Sequence, residues 1–274
     1  MKKYYKFVMR FTIDKHYNFC VFKKKSDLLI QIYFIDKIIG MARLTTDYAD
    51  VIFVTSLVID EKHANKLVDE KYTLGEVFVK FIMKYPGYGR GQEFCFILNL
   101  PSHLNSIVMN NFELNNEIKK KILTRQDDHL SSKYNFPQGI QCTRSITTND
   151  LNELLILLKD NAYWQAHLTM ARLMFLVENA ECFMLSGYNN EIIGFARVVT
   201  DNHSFASLWD VVVSKPYRGK GVGKALMDQI FSDPLFKKIP AWIVFTDTAK
   251  KLYEKFGFMP ASEKDETNIV CIVS

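Results

Sequence analysis

The feature that most restricts the fold is that part of the chain is written twice. Ile38-Ile39-Gly40-Met41-Ala42-Arg43-Leu44-Thr45-Thr46-Asp47 matches Ile192-Ile193-Gly194-Phe195-Ala196-Arg197-Val198-Val199-Thr200-Asp201 at seven of ten positions. The same offset, without a gap, lays Leu57-Val58-Ile59 on Val211-Val212-Val213. After a small length difference, Phe96-Ile97-Leu98 falls on Trp242-Ile243-Val244 and Asn111-Phe112 on Gly257-Phe258. Such internal similarity predicts a tandem of two related domains, and 274 residues suffice for one or two domains with cores of their own. The expected limits are 1–116 for the first domain, 117–142 for a linker and 143–274 for the second.

Along the chain, residues 4–35 hold alternating apolar runs, and 28–34 with 38–44 predict a hairpin turning at Asp36-Lys37. Strands are expected at 51–59 and 94–98, with a helix at 74–83. Pro86-Gly87-Tyr88-Gly89-Arg90-Gly91 follows a helix and precedes a strand, the wrong side for a phosphate, and reads as a loop. Residues 117–139 are polar, end on Pro137-Gln138-Gly139, and read as the linker. In the second domain Thr148-Asn149-Asp150 is expected to cap a helix over 151–158. Tyr163-Trp164 fall in a loop, a further helix ends near Asn179, and a hairpin turns at Asn189-Asn190. A strand at 241–245, a helix at 249–255 and a last strand near 269–272 complete it.

The second repeat carries a stretch that the first lacks, from Val211 to Lys224. Val211, Val212 and Val213 are β-branched and suit a strand, and Pro216 ends pairing because it has no N–H to give to a ladder. Val222, Ala225, Leu226 and Ile230 then recur at helical spacing, so a helix begins inside the glycine run Gly219-Lys220-Gly221-Val222-Gly223. The first N–H groups of a helix lack intrahelical partners and sit at the positive end of its dipole, so an anion is favoured there. Lys224 is followed by Ala225 and not by a hydroxyl residue for magnesium, and no third glycine stands at the dinucleotide-fold offset. A turn before a packed helix is the plain alternative. In the first repeat the same offset puts Ala64 at Arg218, Leu67 at Gly221 and Asp69 at Gly223. A carboxylate there, with Glu70 beside it, would repel an anion, so that half is expected to keep the fold and lose the site.

Hydrophobic content of 48% and charged content of 24% are those of an ordinary globular protein. The start carries charge without a following apolar run, and no stretch approaches the roughly 18 uncharged apolar residues of a membrane helix. No leader and no membrane association are expected. Cys20, Cys95, Cys142, Cys182 and Cys271 are odd in number, widely spaced and free of any CxxC pair, so reduced core thiols in a cytoplasmic protein are expected and no metal site. The net charge of +5 is modest, and Lys23-Lys24-Lys25 and Lys119-Lys120-Lys121 are short clusters, so nucleic acid is not an expected partner. A homodimer is left open.

Three linked motifs carry a family resemblance: Arg218-x-x-Gly221-x-Gly223, the run from Gly194 to Asp201, and Leu252-Tyr253-Glu254-Lys255-Phe256-Gly257-Phe258. With them, residues 143–262 resemble one whole domain of the GCN5-related N-acetyltransferase (GNAT) superfamily. The resemblance implies an α+β fold of two tandem domains, each a mixed, largely antiparallel twisted sheet flanked by helices. It implies acetyl-CoA as co-substrate, held by Val211, Val212 and Val213 backbone groups and by Arg218, Gly219, Lys220, Gly221, Val222, Gly223 and Lys224. Tyr253 stands where relatives commonly place the general acid that protonates the leaving thiolate; the plain alternative is an aromatic packing residue. Asp210 lies near where relatives place a carboxylate that deprotonates the amine through water; its alternative is a structural hydrogen-bonding group. His203, in an expected turn, is a weaker candidate base. Tyr163 and Trp164 would line the amine pocket or pack as core or lid. Asp247 departs from the family pattern, which commonly has Asn touching the cofactor. Ser56 and Ile107 occupy the approximate places of Asp210 and Tyr253 in the first repeat. The expected activity is acetyl transfer to a primary amine, on a small molecule or peptide, in the second domain. The alternative is a non-catalytic acyl-CoA-binding or protein-interaction module.

Overall fold

The computed structural model describes residues 6–24, 27–47, 51–68, 71–83, 94–98, 104, 121–126, 134–260 and 269–273. Two compact units divide the chain: Met1–Lys120 with Ser262–Ser274, and Lys121–Ala261. The chain first forms β1 (Lys6–Thr12), β2 (Tyr17–Lys24), β3 (Asp27–Phe34), β4 (Lys37–Thr46), β5 (Val51–Ile59), α1 (Glu61–Ala64), α2 (Leu74–Met83) and β6 (Phe94–Leu98). The second unit begins with β7 (Ile122–Gln126), β8 (Gln141–Thr143), α3 (Leu151–Asn161) and α4 (Met170–Glu178). It continues with β9 (Glu181–Ser186), β10 (Ile192–Thr200), β11 (Phe205–Val213), α5 (Val222–Ser232), β12 (Ala241–Phe245), α6 (Lys250–Tyr253) and β13 (Met259–Pro260). β14 (Ile269–Val273) returns to the first unit.

The two sheets share one plan. The first is ordered β1-β2-β3-β4-β5-β6-β14 and is antiparallel except where β5 meets β6. The second is ordered β13-β7-β12-β11-β10-β9-β8 and is antiparallel except where β11 meets β12. Gly40 faces Ile59 and Met41 faces Val58, as Gly194 faces Val213 and Phe195 faces Val212. The repeat in the sequence is therefore a repeat of strand register, and the mixed, largely antiparallel α+β plan is the expected one.

Three details differ from expectation. The parallel ladders put Val54 on Ile97 and Leu208 on Val244, so Ile97 corresponds to Val244 and not to Ile243. A slip of one residue exchanges the two faces of a strand, which a short apolar run does not reveal. The stretch 117–142, expected as a linker, contains β7, which pairs with β12 and buries Ile122 and Leu123. β14, expected to close the second domain, pairs instead with β6 in the first sheet. Each sheet thus receives the strand beside its parallel pair from the other half of the chain. The 86–91 loop, Asp69, Glu70, Ile107, Asn111 and Phe112 lie outside the described residues.

In the second unit α5 lays Val222, Ala225, Leu226 and Ile230 into the core, where each full burial of a large side chain stabilises by about 1.5–3 kcal/mol. Phe231 meets Trp242 edge-on at 4.8 Å, in a cluster with Phe236, Phe256 and Phe258. In the first unit Phe19 packs on Phe78 of α2. Asp150 is the residue before α3, but its carboxylate accepts from Thr147, at both the backbone N–H and the hydroxyl, and makes no bond into the helix. Cys20, Cys142 and Cys182 are free thiols, while the Cys95 and Cys271 side chains lie outside the described residues. Among the described residues no helix is long and apolar enough to cross a membrane.

Candidate functional site

β10 and β11 pair regularly from Gly194 to Phe195, then slip before Arg197 reaches Trp209, so β11 carries an extra residue. That bulge holds Asp210 at φ 49°, in the left-handed region. A bulge bends and twists its strand, and the parallel pairing of β11 with β12 ends just before it, at Leu208 and Val244. Beyond that point the two strands no longer share a ladder. Ser214 N–H donates to Ile193 O, so Val212, two residues back, also turns its peptide groups to β10. Val213 turns its carbonyl the other way, where Arg218 takes it. Val212 is therefore a ladder residue, and Val211 lies with Asp210 inside the bulge, between the paired Trp209 and Val212.

The chain leaves β11 through a 3₁₀ turn at Lys215–Tyr217 and enters the glycine run. Gly219 and Gly221 have φ of 76° and 85°, conformations that L side chains rarely adopt, and a Cβ on either would meet nothing within 4 Å. Gly223 has no positive φ, and a Cβ there would make ordinary contacts with Leu252 and Val213, so its glycine is not required by backbone strain. α5 starts at Val222 with Gly221 as N-cap and no side-chain cap, leaving its first N–H groups open to an anion. Lys220 and Lys224 flank it, over the rings of Tyr217 and Tyr134. Arg218 does not face the loop as expected. Its Nε donates to Val213 O at 2.8 Å and its Nη2 to Asn161 O, so it ties the strand end to α3.

The first unit lacks this construction, by a different route from the one expected. Leu67 is not at a helix start; it bridges Thr73 across a longer turn, and α2 begins only at Leu74. There Thr73 and Glu76 cap one another, Thr73 N–H donating to Glu76 Oε2 at 2.7 Å and Glu76 N–H to Thr73 Oγ1 at 3.3 Å. This reciprocal capping box takes the Glu76 N–H, and Leu74 N–H goes to Lys66 O at 2.8 Å, so first-turn groups of the kind that α5 leaves open are occupied here. Only two residues separate β2 from β3, where the second unit inserts α3 and α4 between β8 and β9.

That insertion carries a 3₁₀ turn at Tyr163–Gln165 that reaches the bulge of β11. Trp164 Nε1 and Gln165 Nε2 donate to Asp210 Oδ1 at 3.0 and 2.8 Å, and Arg197 Nε donates to Asp210 Oδ2 at 2.6 Å. Burial works to raise the Asp210 carboxyl, but the Arg197 charge and the three donors outweigh it and hold it below the ordinary carboxylate value. Tyr163 and Trp164 are exposed and meet edge-on at 4.9 Å. Tyr163 Oη donates to Asp247 Oδ2 at 3.1 Å, and Lys121 Nζ lies 3.1 Å from each Asp247 oxygen. The Lys121 hydrogen bond is the main cause that lowers the Asp247 carboxyl. Tyr253, at the end of α6, is buried edge-on against Phe258, and burial raises its phenol well above the ordinary value. Its hydroxyl has no hydrogen-bond partner among the described residues. His203 is exposed in a turn closed by Asp201.

The family model for an acetyltransferase (GNAT) domain matches residues 175–260, which hold the bulged strand, the glycine run and Tyr253. Residues 175–260 are thus a GNAT acetyltransferase domain. It is 36% identical over 69 residues to an uncharacterized N-acetyltransferase, ycf52, of Gracilaria tenuistipitata var. liui, covering 25% of this chain and 38% of that protein. It is 35% identical over 68 residues to the histone acetyltransferase TAP1 of Glycine max, covering 24% of this chain and 29% of that protein. The solved tandem GNAT protein from the clavulanic acid biosynthesis pathway is 12% identical, with a TM-score of 0.48 over 90% of this chain and 82% of that one. The chain spans about two fifths of the length of the first algal relatives it matches.

Within the second unit the structure joins Asp210, Trp164 and Gln165 in one cluster, and Tyr163 and Asp247 in another. Gln165, Arg197 and Lys121 escaped sequence reasoning as site residues. Arg197 stands in the repeated motif, yet its counterpart Arg43 makes a different pair, with Asp27 at 2.9 Å, so the motif alone does not name its partner.

Proposed function

We propose that the second unit transfers an acetyl group from acetyl-CoA directly to a primary amine, with both substrates bound together. The observation that carries this reading is the uncapped start of α5 behind two left-handed glycines, beside a strand pair that has parted. The N–H groups of that loop bind the pyrophosphate, with Lys220 and Lys224 adding charge. Val211 and Val213 offer backbone groups to the pantetheine arm, Val213 through its N–H while Arg218 occupies its carbonyl. Tyr253, kept protonated by burial, passes its proton to the sulfur as the C–S bond breaks, and CoA leaves as the thiol. The amine nitrogen sheds a proton to water, from which the phenolate is reprotonated. The amine attacks in its neutral form, so turnover rises with pH toward the acceptor's own pKa, about 10 for an aliphatic amine. Tyr163, Trp164 and Asp247 form the acceptor wall, an aromatic pair beside a carboxylate that suits a cationic group.

In this reading the first unit binds no acetyl-CoA, because Thr73 and Glu76 already satisfy the start of α2. One observation favours the alternative, a non-catalytic acyl-CoA-binding module: the Asp210 carboxylate is committed to three protein donors and is no evident base. Free CoA release from acetyl-CoA against polyamines, aminoglycosides, amino acids, arylalkylamines and peptides separates the two. Amine-dependent release supports transfer; tight acetyl-CoA binding with no release by any acceptor supports the binding module.

A further inference from the structure

We propose that Asp210 is a positioning residue that couples the cofactor strand to the acceptor wall, so that each substrate's site senses the other. This rests on the transferase reading above. Its two oxygens divide the work: Oδ2 receives Arg197 from β10, and Oδ1 receives Trp164 and Gln165 from the turn that also presents Tyr163. Its backbone, meanwhile, is the left-handed residue of the bulge that separates β11 from β12. A non-glycine residue persists in that region only when its surroundings over-determine it, and such residues gather at working sites. Here the surroundings are three side-chain donors, one from β10 and two from the 3₁₀ turn at Tyr163–Gln165.

The first unit supplies the control. Ser56 stands at the Asp210 position, and it is not among the left-handed residues Ile35, Asn190, Asn202 and Asp210. Its neighbour Arg43 binds Asp27 through both Nε and Nη2. No helical insertion lies between β2 and β3, so there is no acceptor turn to anchor. β5 also carries an extra residue, Thr55, close to the matching place, but the carboxylate, the left-handed φ and the anchored turn occur together in one unit and are missing together from the other. That joint occurrence is what a coupling device predicts and what a lone base does not require.

Coupling between sites is reciprocal, so loosening the acceptor turn must be felt in cofactor binding. Gln165→Leu and Trp164→Phe each remove one donor to Asp210, and neither residue is assigned to acetyl-CoA. Calorimetry should find acetyl-CoA bound about three- to tenfold more weakly in each, the scale of one ordinary intramolecular hydrogen bond. Asp210→Asn should raise KM for both substrates while the pH profile of kcat/KM keeps its wild-type shape. Trp164→Phe, with a half-exposed ring, carries the test if Gln165→Leu does not fold. Wild-type acetyl-CoA affinity in a folded Trp164→Phe chain, or a limb of the pH profile lost in Asp210→Asn, would overturn the coupling role. A wild-type chain that binds no acetyl-CoA would overturn the transferase reading itself.

Discussion

Arg197 and Asp210 lie across the β10–β11 ladder with Nε 2.6 Å from Oδ2, and both side chains are shut off from solvent. A buried pair of this kind is costly to break from one side, since the survivor keeps an uncompensated charge. Asp210→Ala should therefore destabilise the second unit by about 3–5 kcal/mol, read from urea unfolding. The sign with pH follows from the lowered carboxyl: the folded value lies below the unfolded one, so the contribution is complete above the ordinary carboxylate pKa of about 4 and fades as pH falls below it. Stability of the wild type should fall with acid through that window, and that of Asp210→Asn should fall less. Parallel acid profiles would mean that Asp210 titrates alike in both states.

Gly221→Leu is expected to abolish acetyl-CoA binding while leaving the fold. The backbone φ of 85° is strained for leucine by about 1–2 kcal/mol, and relief of that strain moves the very N–H groups that face the anion. Circular dichroism should match the wild type. Calorimetric affinity unchanged from wild type would separate the glycine run from the cofactor.

Tyr253→Phe should lower kcat by roughly 10²- to 10⁴-fold, the range for one general acid, with acetyl-CoA affinity preserved. Loss of the hydroxyl leaves the ring and its contact with Phe258 in place. If turnover is unaffected, the residue serves packing alone.

The repeat was legible in the sequence because strand register and residue offset coincide, Gly40 on Ile59 and Gly194 on Val213. The glycine run was legible because φ above zero and a helix start leave a compositional trace. The exchange of β7 and β14 was not: β7 is Ile122-Leu123-Thr124-Arg125-Gln126 inside a polar stretch, β14 is a short apolar run, and choosing which sheet each joins is a long-range decision with no local signal. Asp210 was found by position, but its role was hidden, because its donors come from 13 and 45 residues away and depend on the bulge. In the first unit the capped helix start was not legible either, since the longer turn before Leu74 moves the cap to Thr73, away from Leu67.

Asp247→Asn should raise KM for a cationic acceptor about two- to fivefold at unchanged kcat, the scale of an exposed charge contact. The carboxylate is shared by Lys121 and Tyr163 and is partly open to solvent, so the effect should shrink with added salt. Equal KM values for cationic acceptors in variant and wild type would move the acceptor away from this wall.

The most direct test of the account is the number of acetyl-CoA molecules that the full chain binds. The second unit presents an open helix start behind Gly219 and Gly221, and the first presents one already closed by Thr73 and Glu76. A calorimetric titration should therefore give one equivalent per chain, and that equivalent should vanish in Gly221→Leu. Two equivalents, or one that survives Gly221→Leu, would contradict the assignment of the cofactor to the second unit's glycine run.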